Sequence, residues 1–122
     1  MLQLANVAHL STEVTAVVAD NAPALVLAGS LHPTAAVCGT PTERARDLIA
    51  EVEGMDRGRY AGPVGWIDGN GDGDLGLAIR CAQVETNSLR LYAGCGVVAG
   101  STPESELAES AAKFKAILNA LN

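Results

Sequence analysis

Asp68-Gly69-Asn70-Gly71-Asp72-Gly73-Asp74 separates two apolar segments, Tyr60–Ile67 and Leu75–Val84. Glycines at alternate positions supply positive φ, and Asp and Asn side chains bond local amides. The segment is therefore a turn, and its flanks fold back on each other as an antiparallel hairpin. It also begins like a calcium-binding loop, with Asp68, Asn70, Asp72 and Gly73. That match then ends. The last loop position, which needs a bidentate Glu, is Ile79, and the flanking segments are strands. The loop reads as a solvated turn.

The other elements follow from local signals. Leu89–Val98 is predicted as a third strand of this group, after the turn Thr86-Asn87-Ser88. Val7–Val18 is predicted as a first strand, with Val7, His9 and Ser11 alternating against Ala8, Leu10 and Thr12. Ala22–Ser30 reads as a short helix that stops before His32-Pro33, because a residue preceding proline avoids the helical region. An irregular segment, Pro33–Gly39, follows. Thr40-Pro41-Thr42-Glu43 places Thr40 at an N-cap, Pro41 at the first helical position and Glu43 at the capping-box position. Ala45, Leu48, Ile49 and Val52 then form one apolar stripe, and Gly54 supplies the stop. Pro103 opens a last helix to about Leu121, with Leu107, Ala111, Phe114, Leu118 and Leu121 as its apolar face. The expected order is β-α-α-β-β-β-α. That is an α+β chain whose mainly antiparallel sheet carries helices on one face.

A chain of 122 residues fits one domain. Its aromatics are few: Tyr60, Trp66, Tyr92 and Phe114. Aromatic side chains usually supply much of a small core, so the chain is expected to be a piece of something larger or an obligate oligomer. A net charge of −6 disfavours nucleic-acid binding. The longest apolar run, Ala22–Gly29, is far too short to span a bilayer, and the N-terminus lacks a signal-peptide pattern. Cys38, Cys81 and Cys95 are odd in number and lack CxxC spacing, which favours a reducing, cytoplasmic compartment.

Several residues invite two readings. Glu106, Glu109 and Lys113 share a helix face. They form either an exposed face with a Glu109–Lys113 pair or a divalent-metal site. Arg80 interrupts the apolar run LGLAIRCAQV. It points to solvent, or it is buried and offers a bidentate fork to a carboxylate. Gly94, Gly96 and Gly100 mark a bulge or a close approach by a ligand or backbone, and the order of a dinucleotide fingerprint is absent. His9 reads by default as a core histidine and His32 as a turn former. The cysteines read as small core residues.

Four motifs stand in order: VAHLSTEV, LHPTAAVCGTP, DRGRYAGPVGW and LRLYAGCGVVAGSTPESELAES. Together they resemble the C-terminal part of the chorismate-utilising enzymes, over almost the whole chain. The isochorismate-forming members are the nearest in pattern. The resemblance implies a partial fold of that family and a role in siderophore or menaquinone synthesis. It implies Mg²⁺ as cofactor, with Glu109 a ligand and Glu106 beside the metal. Lys113 then meets a substrate carboxylate and Arg80 the pyruvyl carboxylate. Tyr60, Ile79 and Cys95 line the pocket, Gly94 and Gly96 offer amides, and His9 lies near the ring as a catalytic residue. Ala36 stands where salicylate-forming members usually carry threonine, which places the chain with the isochorismate type.

In the family a lysine base activates water for attack at C2 of chorismate, and a glutamate acid protonates the departing C4 hydroxyl. Neither residue, nor the second Glu ligand, matches a position here. The expectation is one incomplete chorismate-binding domain over residues 1–122, lacking its N-terminal portion and inactive alone. The alternatives are part of a salicylate synthase, or a non-catalytic module that binds chorismate or another carboxylate. Chorismate and isochorismate are the expected small-molecule partners, with no nucleic acid and no membrane. The chain is also expected to self-associate through exposed sheet edges.

Overall fold

The structure, a computed structural model, describes residues 2–3, 8–9 and 11–121, with the backbone alone at 2–3, 8–9 and 116. Its elements are β1 (Leu2–Gln3), β2 (Ala8–His9), α1 (Ala24–Leu31), α2 (Thr42–Val52), β3 (Pro63–Ile67), β4 (Gly73–Leu77), β5 (Cys81–Val84), β6 (Leu89–Tyr92) and α3 (Pro103–Ala120). The class is α+β, as expected. The detailed order is not. Among the described residues the strands form three separate two-stranded antiparallel ladders, β1–β2, β3–β4 and β5–β6, rather than one sheet.

The central hairpin forms where the turn chemistry requires it. β3 and β4 pair from Pro63↔Leu77 to Ile67↔Gly73. The Asp68 carboxylate accepts from the amides of Asn70 (2.8 Å) and Asp72 (3.0 Å), closing the turn on itself. Gly65 is required by close approach, since a Cβ there would lie 1.9 Å from the Asp74 carbonyl oxygen. The turn also reaches α1. The Gly71 carbonyl accepts from the Ala24 amide at 2.8 Å, satisfying a donor at the helix N-terminus. α1 packs on β3 and β4.

The four expected strands are all shorter than the alternation suggests. Tyr60 and Ala61 form a turn before β3, with Ala61 at φ +67. Ala61 donates to the Ala78 carbonyl and Ala78 donates to the Gly62 carbonyl, each at 2.9 Å. Those bonds end the ladder, and the chain turns at Ile79 and Arg80, which breaks Leu75–Val84 into β4 and β5. The third strand stops at Tyr92. Of Val7–Val18, Val7 and Leu10 lie outside the described residues. Ala8–His9 is strand, and residues 11–18 are unpaired and exposed. Alternation there found no strand edge to pair with.

The helices follow their signals more closely. α2 starts one residue later than expected. Pro41, extended at ψ 138, holds the N-cap place, and no side chain caps the helix. Gly54 ends it at φ +61. α3 carries a full capping box, because Thr102 accepts from the Ser105 amide and Ser105 from the Thr102 amide. Its expected apolar face is mostly wet. Leu107 is 72% exposed, and Leu118 and Leu121 are exposed too. The half-buried positions are Glu106, Ser110, Lys113, Phe114 and Ile117, so this helix turns charge inward.

The core is correspondingly thin. Among the described residues the buried hydrophobic side chains are Ala61 and Tyr92. A compact monomer of 12.5 kDa exposes about 6,200 Å², whereas this chain exposes 9808 Å². The sparse aromatics pointed to this deficit. No helix among the described residues is long and apolar enough to cross a membrane.

Candidate functional site

The inward charge of α3 meets the segment after β6. Lys113 Nζ donates to the Gly94 carbonyl at 2.8 Å and to Glu109 Oε1 at 2.6 Å. The Glu109 partner is more than half exposed, so that ion pair alone contributes little stability. What it does is hold an ammonium against the Gly94 backbone. Tyr60 approaches the same glycine. A Cβ on Gly94 would lie 3.0 Å from Tyr60 Oη.

The Tyr60 ring has two partners. It stacks on Tyr92 with centroids 5.1 Å apart and 15° between planes. The Arg57 guanidinium lies 5.5 Å from its centroid. Arg57 Nη1 donates to the Val37 carbonyl at 2.8 Å, while Nε and Nη2 make a fork with the Glu53 carboxylate. Hydrogen bonding to Glu53 raises the Arg57 pKa against the opposing effect of burial.

Glu106 sits one turn before Glu109. Its Oε2 is shielded from solvent and has no donor in full hydrogen-bond geometry. The carboxyl is held below its usual range, first by Ser101, then by Cys95, with Lys113 adding a smaller contribution against partial desolvation. Glu106 in turn raises the Cys95 thiol, and Cys95 Sγ donates to the Glu106 backbone carbonyl at 3.5 Å. That direction disfavours the thiolate, which is the nucleophilic form.

Tyr60, Gly94, Cys95, Glu106, Glu109 and Lys113 thus form one connected group. Arg80 and Ile79 stand apart from it. The expected position of Arg80 inside a strand is corrected: it is exposed, at φ +50, in the break between β4 and β5. Among the described residues its guanidinium makes no hydrogen bond or ion pair, so of the two readings the structure shows the solvent-facing one. Gly96 is exposed with open space around it. Ala36 lies exposed in the turn before α2, next to Val37. His9 is in β2, and its side chain lies outside the described residues. No cluster of three or more metal-ligating side chains occurs among the described residues.

Sequence reasoning missed Arg57, Glu53 and Ser101 as members of this group. A signal existed for the first two, since Glu53 and Arg57 are an i,i+4 charge pair across the end of α2.

The chorismate binding enzyme profile matches residues 1–122. The chain belongs to the chorismate-binding enzyme family. It is 54% identical over 114 residues to the isochorismate synthase DhbC of Bacillus subtilis, covering 93% of this chain and 29% of that protein. It is 49% identical over 113 residues to the vibriobactin-specific isochorismate synthase of Vibrio cholerae, covering 92% and 29%. A crystal structure assigned as the 2,3-dihydroxybenzoate-specific isochorismate synthase DhbC of Bacillus anthracis superposes with a TM-score of 0.80 at 57% identity. That likeness covers 83% of this chain and 27% of the solved one. The chain therefore spans under a third of the length of these relatives. All three are isochorismate synthases by name, which disfavours the salicylate-synthase alternative.

Proposed function

We propose that this chain supplies the carboxylate-binding part of an Mg²⁺-dependent site that converts chorismate to isochorismate, for siderophore or menaquinone synthesis. The observation that carries the reading is Lys113 held against Gly94 and Glu109 within a family whose members bind chorismate. A chain of net charge −6 repels a dianion by its overall field. A local ammonium, with backbone amides at Gly94 and Gly96, offsets that repulsion at one point.

The donor set fits a hard cation. Glu109 is a carboxylate on the same helix, and Glu106 Oε2 is out of solvent with no donor in full hydrogen-bond geometry. Such an oxygen is costly unless a cation or donor meets it. Mg²⁺ takes one or two protein carboxylates and leaves positions for substrate oxygens. When bound, it supplies Lewis-acid polarisation of the ring carboxylate.

In this reading Lys113 orients a substrate carboxylate, and Arg80 turns its fork to the pyruvyl carboxylate. Tyr60, Ile79 and Cys95 form the wall of the pocket. Gly94 and Gly96 keep it open, Ala36 marks the isochorismate type and His9 lies near the ring. The water-activating base and the proton-donating acid come from outside the matched positions, so the chain binds chorismate without turning it over.

Calorimetry with chorismate and Mg²⁺ tests the reading. Binding that weakens in Lys113→Ala is expected, with no isochorismate formed. Absence of binding overturns the reading, and turnover at rates typical of whole enzymes overturns the inactive state. Light scattering tests a further part of the proposal, that the uncovered surface drives self-association in a cytoplasmic protein. A monodisperse monomer would refute it.

A further inference from the structure

Glu53 stands at the C-cap of α2, where the helix dipole disfavours a carboxylate. A residue placed against that preference calls for a local partner, and it has one. Arg57 forks onto both Glu53 oxygens and uses its third nitrogen on the Val37 carbonyl, 20 residues back in the chain. All three nitrogens of one guanidinium are thus tied to fixed acceptors, and the guanidinium lies over the Tyr60 ring. The ring also borders a hollow of about 210 Å³, shared with His32, Val37, Cys38, Ile49 and Arg57. Such a space gives an aromatic side chain room to swing unless something holds it. Tyr92 stacks on that ring and the Arg57 guanidinium lies over it.

We infer that the Glu53–Arg57 pair is a positioning device for Tyr60, holding its hydroxyl beside Gly94 and so setting one wall of the substrate site. Arg57 is a positioning residue and acts through Tyr60. The effect on chorismate rests on the proposed function; the effect on the ring does not.

The chain has two tyrosines, Tyr60 and Tyr92, so ring-labelled tyrosine yields two resolvable sets of NMR signals. In the free chain, Arg57→Ala is expected to move both sets toward free-tyrosine values. Arg57→Lys keeps a cation but not the fork, and Glu53→Gln keeps one acceptor; each is expected to move them part of the way. These two variants also stand in if Arg57→Ala fails to fold. Unmoved ring signals in the folded variants overturn the inference.

With chorismate and Mg²⁺, Arg57→Ala and Tyr60→Phe are each expected to weaken binding by about tenfold, and the double variant by no more than the larger single effect. Multiplying effects would show that Arg57 acts independently of Tyr60, which also overturns the inference. If the unaltered chain binds no chorismate, the functional reading falls, and the ring signals still decide the positioning role.

Discussion

The ring of Tyr60, in the turn before β3, lies on the ring of Tyr92 at the end of β6, with centroids 5.1 Å apart. One contact thus joins the central hairpin to the β5–β6 ladder. It also sets the distance between the pocket wall and the Gly94 backbone. Tyr92 is one of the two buried hydrophobic side chains among the described residues, so packing and site geometry share the same atoms.

Tyr92→Ala is expected to cost about 3–5 kcal/mol, the usual range for deleting a buried aromatic ring. Set against about 5–15 kcal/mol of total stability for an ordinary domain, that loss takes a thin core close to unfolding. Tyr92→Phe keeps the ring and is expected to stay within about 0.5 kcal/mol of the unaltered chain. Urea denaturation of the three chains, compared by midpoint, checks both statements.

Local chemistry made part of this legible beforehand. The turn that opens at Asp68, the Gly54 stop and the Pro103 start of α3 each depend on a few neighbouring residues, and each formed, although Gly73 and Asp74 belong to β4. Strand lengths depend on what is available to pair, and alternation does not carry that information. Residues 11–18 extend the alternating start but pair with no strand among the described residues, and the run LGLAIRCAQV continues past the point where Ala78 gives its bonds to the Ala61–Gly62 turn. The wet side of α3 was misjudged for a related reason. Leucines mark a face able to be buried, whereas Glu106 and Lys113 sit on the face that meets the Gly94 segment.

Gly94 and Gly96 are expected to behave differently. A methyl on Gly94 meets the far end of the Tyr60 side chain at 3.0 Å, and one on Gly96 meets nothing within 4 Å. Gly94→Ala should therefore displace the Tyr60 ring in the free chain at a stability cost of under about 1 kcal/mol, because a hydroxyl on a long side chain can yield. Gly96→Ala should leave both tyrosine signals in place. If the proposed function holds and chorismate approaches the backbone at these glycines, its affinity falls in both variants. NMR of the free variants followed by calorimetry separates the two effects.

Arg80 lets backbone and side chain be tested independently. Its φ of +50 costs an L-residue about 1–2 kcal/mol. Glycine removes that strain but loses about 0.5–1 kcal/mol through backbone entropy. Arg80→Gly is therefore expected to be as stable as the unaltered chain or slightly more so, and Arg80→Ala to gain nothing. If Arg80 supplies the pyruvyl-carboxylate fork, both variants lose chorismate affinity by at least about tenfold, the worth of a charge-assisted pair. Thermal melts and calorimetry on the same samples decide it. Retained affinity in both would remove Arg80 from the site.

The depressed pKa of Glu106 gives a pH dependence with a definite sign. Its folded value lies below its unfolded one, chiefly because Ser101, then Cys95, favours the carboxylate. A group shifted in that direction contributes stability above its unfolded pKa and loses it as pH falls through the folded value. Removing the largest cause moves the folded value back up, so Ser101→Ala should shift the Glu106 midpoint upward in a carboxyl-carbon NMR titration. The acid-side loss of stability should begin at a higher pH in that variant. Lys113→Ala should move the same midpoint upward by less, because Lys113 is the weakest of the contributors. Mg²⁺ binding, if Glu106 takes part, competes with that proton. Added Mg²⁺ should then press the midpoint further down in the unaltered chain, and a midpoint indifferent to Mg²⁺ would exclude Glu106 from the cation's surroundings.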